Sequence, residues 1–464
     1  MKDRVPSYPG RVQLTQVSGN IYDLEMADQP TEQGTPLNKA TLLQDSTAEL
    51  YGFSTSDNAT PDDIFNAALD VIPTVHLNNV FTDYGPQRHD ADAISVNRSY
   101  LAGASVGGNA LFAGGRKNDN SFSDVVDTYN TSMTHSTATS LSTARYMLSG
   151  ASIGNYALFV GGSDDDGASD VVDAYDSALT HSTPTVLGEA RSLLANAHAG
   201  SYVIFAGGNT RSGNISSFVD AYDSSLTHMR LLDLLTPRSD LAGASVGGYA
   251  IFAGGAHGTF TYYALDTYNG SLTRSTAQTL SMERYALAGA SAIHTAFFAG
   301  GTTGSSASDI VDAYNESLTR MQAPTLSVPR YSLVSASLSN YDYAVFAGGE
   351  TSGYNKSDVI DIYTSSLTHT TKNLSVARDD LASANVGDKV LFSGGETSSG
   401  KSNATDLYTV EYGLSIQIPA WSKYNISNVT SGEVFTKDDV SINATSDAPF
   451  SGYIKRGFTI SGKI

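Results

Sequence analysis

Glycine pairs recur along the chain at a near-constant spacing. Seven Gly-Gly pairs follow one another at intervals of 46 to 48 residues, each at the end of a short apolar run. The pairs begin at Gly114, Gly161, Gly207, Gly254, Gly300, Gly348 and Gly394. Such a period, carried by short strands, is typical of β-propeller blades, each of which buries its faces only against its neighbours. The sequence therefore predicts seven repeated units.

The length leaves a segment at each end of the repeats. The chain has 464 residues, of which 16% are charged and 40% hydrophobic, and its 43 glycines suit short strands joined by tight turns. The predicted fold is an all-β, seven-bladed propeller over residues 86–412. A small α+β segment over 1–72 and a linker over 73–85 precede it, and a short β segment over 413–464 follows it.

Charge and composition exclude several function classes. The formal net charge of -20 disfavours nucleic acids, because Lys and Arg must replace the counterions of phosphate groups. No cysteine is present, so neither a disulfide nor a thiolate metal site can form. The first residues lack the apolar core of a signal peptide, and no apolar run is long enough to span a membrane. We therefore expect a soluble protein, made in the cytosol, without membrane insertion.

One repeat unit reads as four strands. Residues 146–154 alternate small and apolar side chains, and Tyr156 to Val160 form an apolar run that ends at the glycine pair. After a polar loop, Asp170 to Tyr175 predict a third strand, and Leu179 to Val186 predict a fourth. This is the strand count of one propeller blade.

Arginine and an Asp-x-Tyr triplet recur in step with the glycines. The arginines are Arg98, Arg145, Arg191, Arg238, Arg284, Arg330 and Arg378. The triplets begin at Asp127, Asp173, Asp220, Asp266, Asp312, Asp361 and Asp406. A residue type that recurs at the same position of every unit is best explained by a structural role that every unit shares. Buried charges must be paired, so we expect these groups to tie blades together rather than to bind a ligand.

An apolar strand ending in Gly-Gly, then a tyrosine, then an arginine resembles the kelch repeat. The resemblance covers about residues 86–412 and implies a propeller. Kelch repeats usually carry a tryptophan in the fourth strand, whereas Trp421 is the single tryptophan here and lies outside the repeats. Residues near that position are expected to fill the space instead: Met133, Leu179, Leu226, Leu272, Leu318 and Leu367.

The last unit lacks a fourth strand, while residues 87–98 align with 134–145 without a third strand before them. We expect this N-terminal segment to supply the outer strand of the seventh blade, because closing the ring removes an exposed sheet edge.

Neither an enzyme nor a metal site is predicted. A galactose-oxidase-like copper site needs a tyrosine cross-linked to cysteine, and the sequence box that accompanies sialidase sites is absent. The acidic run Ser163 to Gly167 offers oxygen ligands for a hard cation, but it lacks the later acidic ligand of an EF-hand loop. A solvated loop is the favoured interpretation, and no cofactor is expected.

The loops after the glycine pairs differ most between units, and variable loops on a rigid scaffold are where recognition is usually found. Their polar and aromatic side chains suit sugar hydroxyls and ring faces, although tolerant surface loops would look the same. The candidate ligand-binding residues are Asn118, Asp119, Asn120, Asp164, Asp165, Asn209, Arg211, His257, Tyr354 and Asn355.

The first 72 residues read differently from the repeats. Alternation on both sides of Ser18-Gly19-Asn20 predicts a hairpin, and helices are predicted from Thr35 to about Tyr51 and from Thr60 to about Ile72. The run Lys2 to Val12, followed by Ala27 to Leu43, resembles the N-terminal segment of tail-appendage proteins of phages and prophages of Gram-positive hosts. This resemblance implies docking to tail or baseplate proteins.

The function expected from these features is a non-enzymatic phage tail fibre or baseplate appendage. Its propeller loops would bind a host surface receptor, a glycan or a protein, and analogy with tail fibres implies a homotrimer. The protein would be part of the virion, assembled in the bacterial cytoplasm and released by lysis. Two alternatives are a purely structural tail component and, less favoured, a glycan-degrading enzyme.

Overall fold

The computed structural model describes residues 12–18, 21–26, 81–338, 342–418, 434–437, 440–443 and 458–463. These residues form strands, bridges and turns, and none of them is helical. The chain divides into two compact units, one over residues 88–409 and one over residues 1–87 with 410–464. The larger unit is a seven-bladed β-propeller, so the all-β fold is confirmed.

Each blade is a sheet of four antiparallel strands, numbered from the inner strand outward. The first strands are Ala102–Val106, Ser149–Ile153, Ala195–Ala199, Ala242–Val246, Ala288–Ser291, Val334–Leu338 and Ala382–Val386. The second are Asn109–Ala113, Tyr156–Val160, Tyr202–Ala206, Tyr249–Ala253, Thr295–Ala299, Tyr343–Ala347 and Lys389–Ser393. The third are Val126–Tyr129, Val172–Asp176, Val219–Asp223, Leu265–Tyr268, Val311–Asn315, Val359–Tyr363 and Thr405–Ile418. The fourth, in blades one to six, are His135–Thr137, His181–Ser182, His228–Arg230, Arg274–Thr276, Arg320–Gln322 and His369–Asn373.

Phe81–Asp90 is the fourth strand of blade seven and pairs with Thr405–Ile418. The strand begins inside the segment 73–85, which the sequence predicts to be a linker, and it ends before most of the predicted outer strand over 87–98. It pairs there because the third strand of blade seven would otherwise leave an exposed edge. Arg88 then contacts Asp406 at 3.5 Å, just as fourth-strand residues of other blades contact the equivalent aspartates. The first and last parts of the propeller sequence thus complete one blade together.

The hydrophobic core lies between neighbouring blades. Ala104 and Leu111 of blade one pack in one buried cluster with Phe159 and Tyr175 of blade two. Residues of blade seven and blade one form an equivalent cluster, so the ring closes with the packing used elsewhere. The aliphatic residues predicted to replace the kelch tryptophan do pack against these clusters, as Leu179 does.

The recurring arginines and aspartates hold the blades together, as predicted. Arg145 lies in the connection from blade one and is fully buried. Its guanidinium donates to the carbonyl oxygen of Val171 at 2.9 Å and to the Asp173 carboxylate. The ring of His181 approaches the other oxygen of the same carboxylate at 2.7 Å. The hydroxyl of Tyr175 reaches back to the Thr139 carbonyl at 2.8 Å. These residues, which recur at the same positions in other blades, are therefore part of the scaffold.

The prediction that Leu179 begins a fourth strand is wrong. The strand starts at His181, and Leu179 lies in a turn with a positive φ of 61°. The carboxylate of Asp176 accepts hydrogen bonds from the backbone N–H groups of Ala178 and Thr180, at 2.9 and 2.8 Å. An aspartate that caps its own loop in this way favours a tight turn over an extended strand.

Outside the propeller, the described strands form a hairpin near the N-terminus and a group of strands near the C-terminus. Val12–Ser18 and Ile21–Met26 pair as the predicted hairpin. Thr405–Ile418 pairs beyond the propeller with Phe458–Lys463. Val440–Asn443 pairs with Phe458–Lys463 and with Val434–Lys437. The two helices predicted between Thr35 and Ile72 lie outside the described residues.

Candidate functional site

The loops after the glycine pairs share one face of the propeller with the connections between blades. The residue after each repeated arginine pairs with the first residue beyond a glycine pair, as Arg98–Ser99 does with Arg116–Lys117. The equivalent pairs are Tyr146 with Ser163, Ser192 with Asn209, Ser239 with Ala256, Tyr285 with Thr302, Tyr331 with Glu350, and Asp379 with Glu396. We call this surface the hairpin face, because many of these loops form short β-hairpins.

A ring of seven residues surrounds the channel mouth on the hairpin face. Each has a positive φ between 49° and 55°, although none is glycine. Each backbone N–H donates to the carbonyl of the equivalent residue in the preceding blade, at 2.9 to 3.4 Å. The ring consists of Tyr100, Met147, Leu193, Asp240, Ala286, Ser332 and Asp380. The backbone repeats around the mouth while the side chains differ, as a recognition surface on a fixed frame requires.

Two ring residues form a polar pair. The hydroxyl of Tyr100 and the carboxyl of Asp380 are close enough to affect each other's ionisation. Burial, with repulsion from Asp379, raises the pKa of Asp380 to about 8. Burial and the adjacent Asp380 also raise the pKa of Tyr100. Asp380 therefore keeps its proton at neutral pH and can donate as well as accept a hydrogen bond.

A second polar group lies beside this pair, between blades six and seven. The ammonium of Lys356 contacts Asp379 at 2.8 Å and also contacts Glu350, which accepts from the hydroxyl of Tyr331. Burial raises the pKa of Asp379 to about 6. Burial opposes the ionisation of Glu350, but hydrogen bonds from Lys356 and Tyr331 outweigh it and lower its pKa. Lys356 therefore neutralises both carboxylates.

The residues of blade one that are predicted to bind a ligand also stabilise the loop in which they lie. The side-chain oxygen of Asn118 accepts from the backbone N–H of Lys401 in blade seven at 2.8 Å. Asp119 accepts from the hydroxyl of Ser121 at 2.6 Å, and Asn120 has a positive φ of 65°. This hairpin is fixed by its own contacts, and its tip is exposed.

A similar hydrogen bond joins the loops of blades two and three. Arg211 donates to the carbonyl of Ala168 in the neighbouring blade at 3.0 Å. Asp164 accepts from the backbone of Asp166 at 2.9 Å, while Asp165 is exposed. Asn209 is half-buried at the base of its loop. No group of three or more His, Cys, Asp or Glu side chains in the described part of the chain is arranged to hold a metal ion.

His257, Tyr354 and Asn355 lie in the loops of blades four and six. All three are exposed, and Tyr354 has 79% of its surface accessible to solvent. Their side chains are therefore available to a ligand.

The candidates predicted from the sequence do not include the residues of the channel mouth, such as Tyr100, Asp240 and Asp380, or the nearby Lys356. Positions that recur in every repeat are predicted to be scaffold, and the candidates come from the loops alone. The available signal was a change of residue type at one position of the repeat, as at Asp240 and Asp380, where the other five blades carry apolar, small or aromatic residues.

Comparisons with known proteins support the fold and go no further. No family model matches the chain, and no curated protein matches it. A solved structure titled "Structure of YjhT" is similar at 13% sequence identity with a TM-score of 0.50, over 61% of this chain and 99% of that one. A likeness at this identity shows the fold alone. Among the described residues, no helix has the length and apolar character needed to cross a membrane.

The raised pKa of Asp380 predicts a pH effect on stability. An aspartate in the unfolded chain has a pKa of about 3.9, so between about pH 4 and 8 the folded state binds more protons at this site. Stability contributed by the protonated carboxyl is therefore lost as the pH rises through this window. Asp380→Asn should flatten the decline of the melting temperature between pH 5 and 8. Asp165→Asn, which removes an exposed charge, is the control; equal profiles for wild type and Asp380→Asn would contradict the assignment.

Proposed function

We propose that this protein is a receptor-binding appendage of a phage virion and that its hairpin face binds a host surface glycan without catalysis. The proposal is carried by the position of the residues that differ from blade to blade. Arginine, aspartate and core columns repeat from blade to blade, whereas the loops and the channel mouth on one face differ. A uniform scaffold with one varied face is the arrangement that recognition requires.

The first 72 residues supply the virion part of the proposal. Their resemblance to phage tail-appendage proteins supports attachment to tail or baseplate proteins, with assembly in the cytoplasm, release by lysis and a trimer by analogy. A receptor-binding role also fits a net charge of -20, which favours neutral or cationic receptors over polyanions.

Binding without catalysis is supported by the carboxylates near the mouth. Lys356 contacts both Glu350 and Asp379. A general acid or base must be able to exchange a proton with the substrate. These two carboxylates are instead held by one ammonium group, which suits a binding surface.

Adsorption to host cells tests the proposal. The full-length purified chain should bind host cells and should compete with intact particles for adsorption. Tyr354→Ala should weaken binding about tenfold, the typical effect of removing an aromatic anchor. His294→Ser, on the opposite face, is the matched control. Absence of binding to cells that the particle adsorbs to would overturn the receptor role, and loss of host polysaccharide on incubation would overturn the non-enzymatic one.

A further inference from the structure

The central channel is lined by alternate residues of the seven first strands. One level consists of Gly103, Gly150, Asn196, Gly243, Gly289, Ser335 and Ser383. The next level consists of Ser105, Ser152, His198, Ser245, Ser291, Ser337 and Asn385. The residues between these levels are alanines that pack into the blades. The lining is therefore glycine or polar at both levels, unlike the aliphatic filling of a closed core.

These levels and the mouth ring line a cavity of about 570 Å³ that is open to solvent. Pockets that bind small ligands usually have volumes of about 300–1,000 Å³.

Departures from the repeat lie on two opposite sides of the channel. Blade three carries Asn196 and His198 where most blades carry glycine and serine, and blade four carries Asp240 at the mouth. In a ring of seven, blade three faces blades six and seven, and blade four faces blades seven and one. Those blades carry the other departures at the channel levels, Ser335, Ser383 and Asn385, and the mouth residues Asp380 and Tyr100. Substitutions distant in sequence thus face one another across one space.

Several of these side chains are held in one orientation by hydrogen bonds and still have an acceptor atom for a ligand. The amide of Asn196 donates to the Ser149 hydroxyl at 2.9 Å and to the Gly150 carbonyl at 3.0 Å, which fixes its orientation. Asn385 is fixed in the same way by the Ser337 carbonyl at 2.7 Å. Their side-chain oxygens remain as acceptors. In the described structure the imidazole of His198 makes no hydrogen bond, and burial lowers its pKa, so the ring is neutral.

The chemistry of the lining selects a class of ligand. Neither channel level nor the mouth ring contains lysine or arginine, whereas the mouth carries Asp240 and Asp380. Anions therefore meet no counter-charge, while donors such as hydroxyl groups meet many acceptors. Met147 and Leu193, adjacent in the ring, provide an apolar arc. A surface with one apolar arc and many acceptors matches a sugar ring, which has an apolar C–H face and a hydroxyl edge.

We propose that the channel binds one uncharged sugar residue, the terminal residue of the receptor glycan, between His198 and Asn385 at its deeper level. Asp240, Asp380 and Tyr100 at the mouth would contact the next residue of the glycan. This proposal rests on the glycan-binding role proposed above. The loops of the hairpin face would contact the rest of the glycan, and the channel would determine which terminal residue is accepted.

Two variants test this site while keeping the scaffold. His198→Ser and Asp240→Ala each introduce the residue that an equivalent position of another blade carries, Ser245 and Ala286 respectively. The controls are His294→Ser and Asp388→Ala, which change the same residue types on the opposite face. Binding of galactose, N-acetylglucosamine and the anionic N-acetylneuraminate to each full-length protein would be measured by saturation-transfer NMR and by the shift of the His198 ring signals.

At least one neutral sugar should shift the His198 signals, and His198→Ser should weaken its binding about tenfold, whereas Asp240→Ala should weaken the binding of host cells by a similar factor. N-acetylneuraminate should not bind. The proposal is overturned if no neutral sugar shifts His198, if the channel variants bind as the wild type does, or if the anionic sugar binds equally well. Should host cells still bind the protein in that case, the receptor role would stand and the channel site alone would be wrong. Sugar binding without adsorption to host cells would contradict the receptor role alone.

Discussion

Replacing Asp266 with asparagine is expected to lower the free energy of unfolding by about 3–5 kcal/mol. Asp266 and Arg238 are both fully buried, and their side chains meet at 2.6 Å. Burial lowers the pKa of Arg238, and Asp266 provides the opposing attraction that keeps it charged. Asparagine preserves the shape but leaves the guanidinium without a counter-charge. Urea unfolding followed by circular dichroism measures the change.

The matched control for this substitution is Asp388→Asn. Asp388 also pairs with a cation, Lys389, at 2.7 Å, but its side chain is 36% exposed. Solvent screens such a pair, so its loss should cost about 0–1 kcal/mol. Equal losses in the two variants would show that the repeated ion pairs do not hold the blades.

Replacing Gly254 with alanine should be nearly as damaging. The φ of Gly254 is 67°, which costs a side chain about 1–2 kcal/mol. An added Cβ would also lie 2.6 Å from the carbonyl oxygen of Arg284 and 2.8 Å from a methyl of Leu287. Overpacking of this kind typically costs about 1–3 kcal/mol. The expected loss is therefore about 2–5 kcal/mol, measured by the same urea titration.

Gly258→Ala separates the cost of a positive φ from the cost of overpacking. Its φ is 62°, close to that of Gly254, but no atom lies within 4 Å of the position of an added Cβ. This variant should lose only the conformational part, about 1–2 kcal/mol. If the two variants were equally destabilised, contact across the blade boundary would not be the reason for the glycine pair.

Much of the fold could be predicted from the repeat. A constant period with Gly-Gly, arginine and Asp-x-Tyr in step predicts the seven blades, the order of the strands and the role of Arg145 and Asp173. Leu179 could not be placed from apolar alternation, because the carboxylate of Asp176 folds the chain into a turn there. The correct signal was the polar residue that begins the turn.

The candidate site could be predicted only in part. Loop tips such as Tyr354 follow from their position after a glycine pair, and this residue is exposed as expected for a loop tip. Asp240 and Asp380 could not be paired from the sequence, because only closure of a seven-membered ring places blade four opposite blades seven and one. A pattern along the chain does not reveal which substitutions face each other across a channel.

Glycan recognition by the channel is tested by measuring how the full-length wild type, His294→Ser and His198→Ser bind host cells in one assay. The wild type and His294→Ser should bind alike, and His198→Ser should bind about tenfold more weakly. His294→Ser is a suitable control because His294 lies in a turn on the face opposite the hairpins, where it contacts Glu316 at 2.8 Å. Recognition of a host glycan by the channel would be contradicted if the wild type failed to bind, or if all three proteins bound equally.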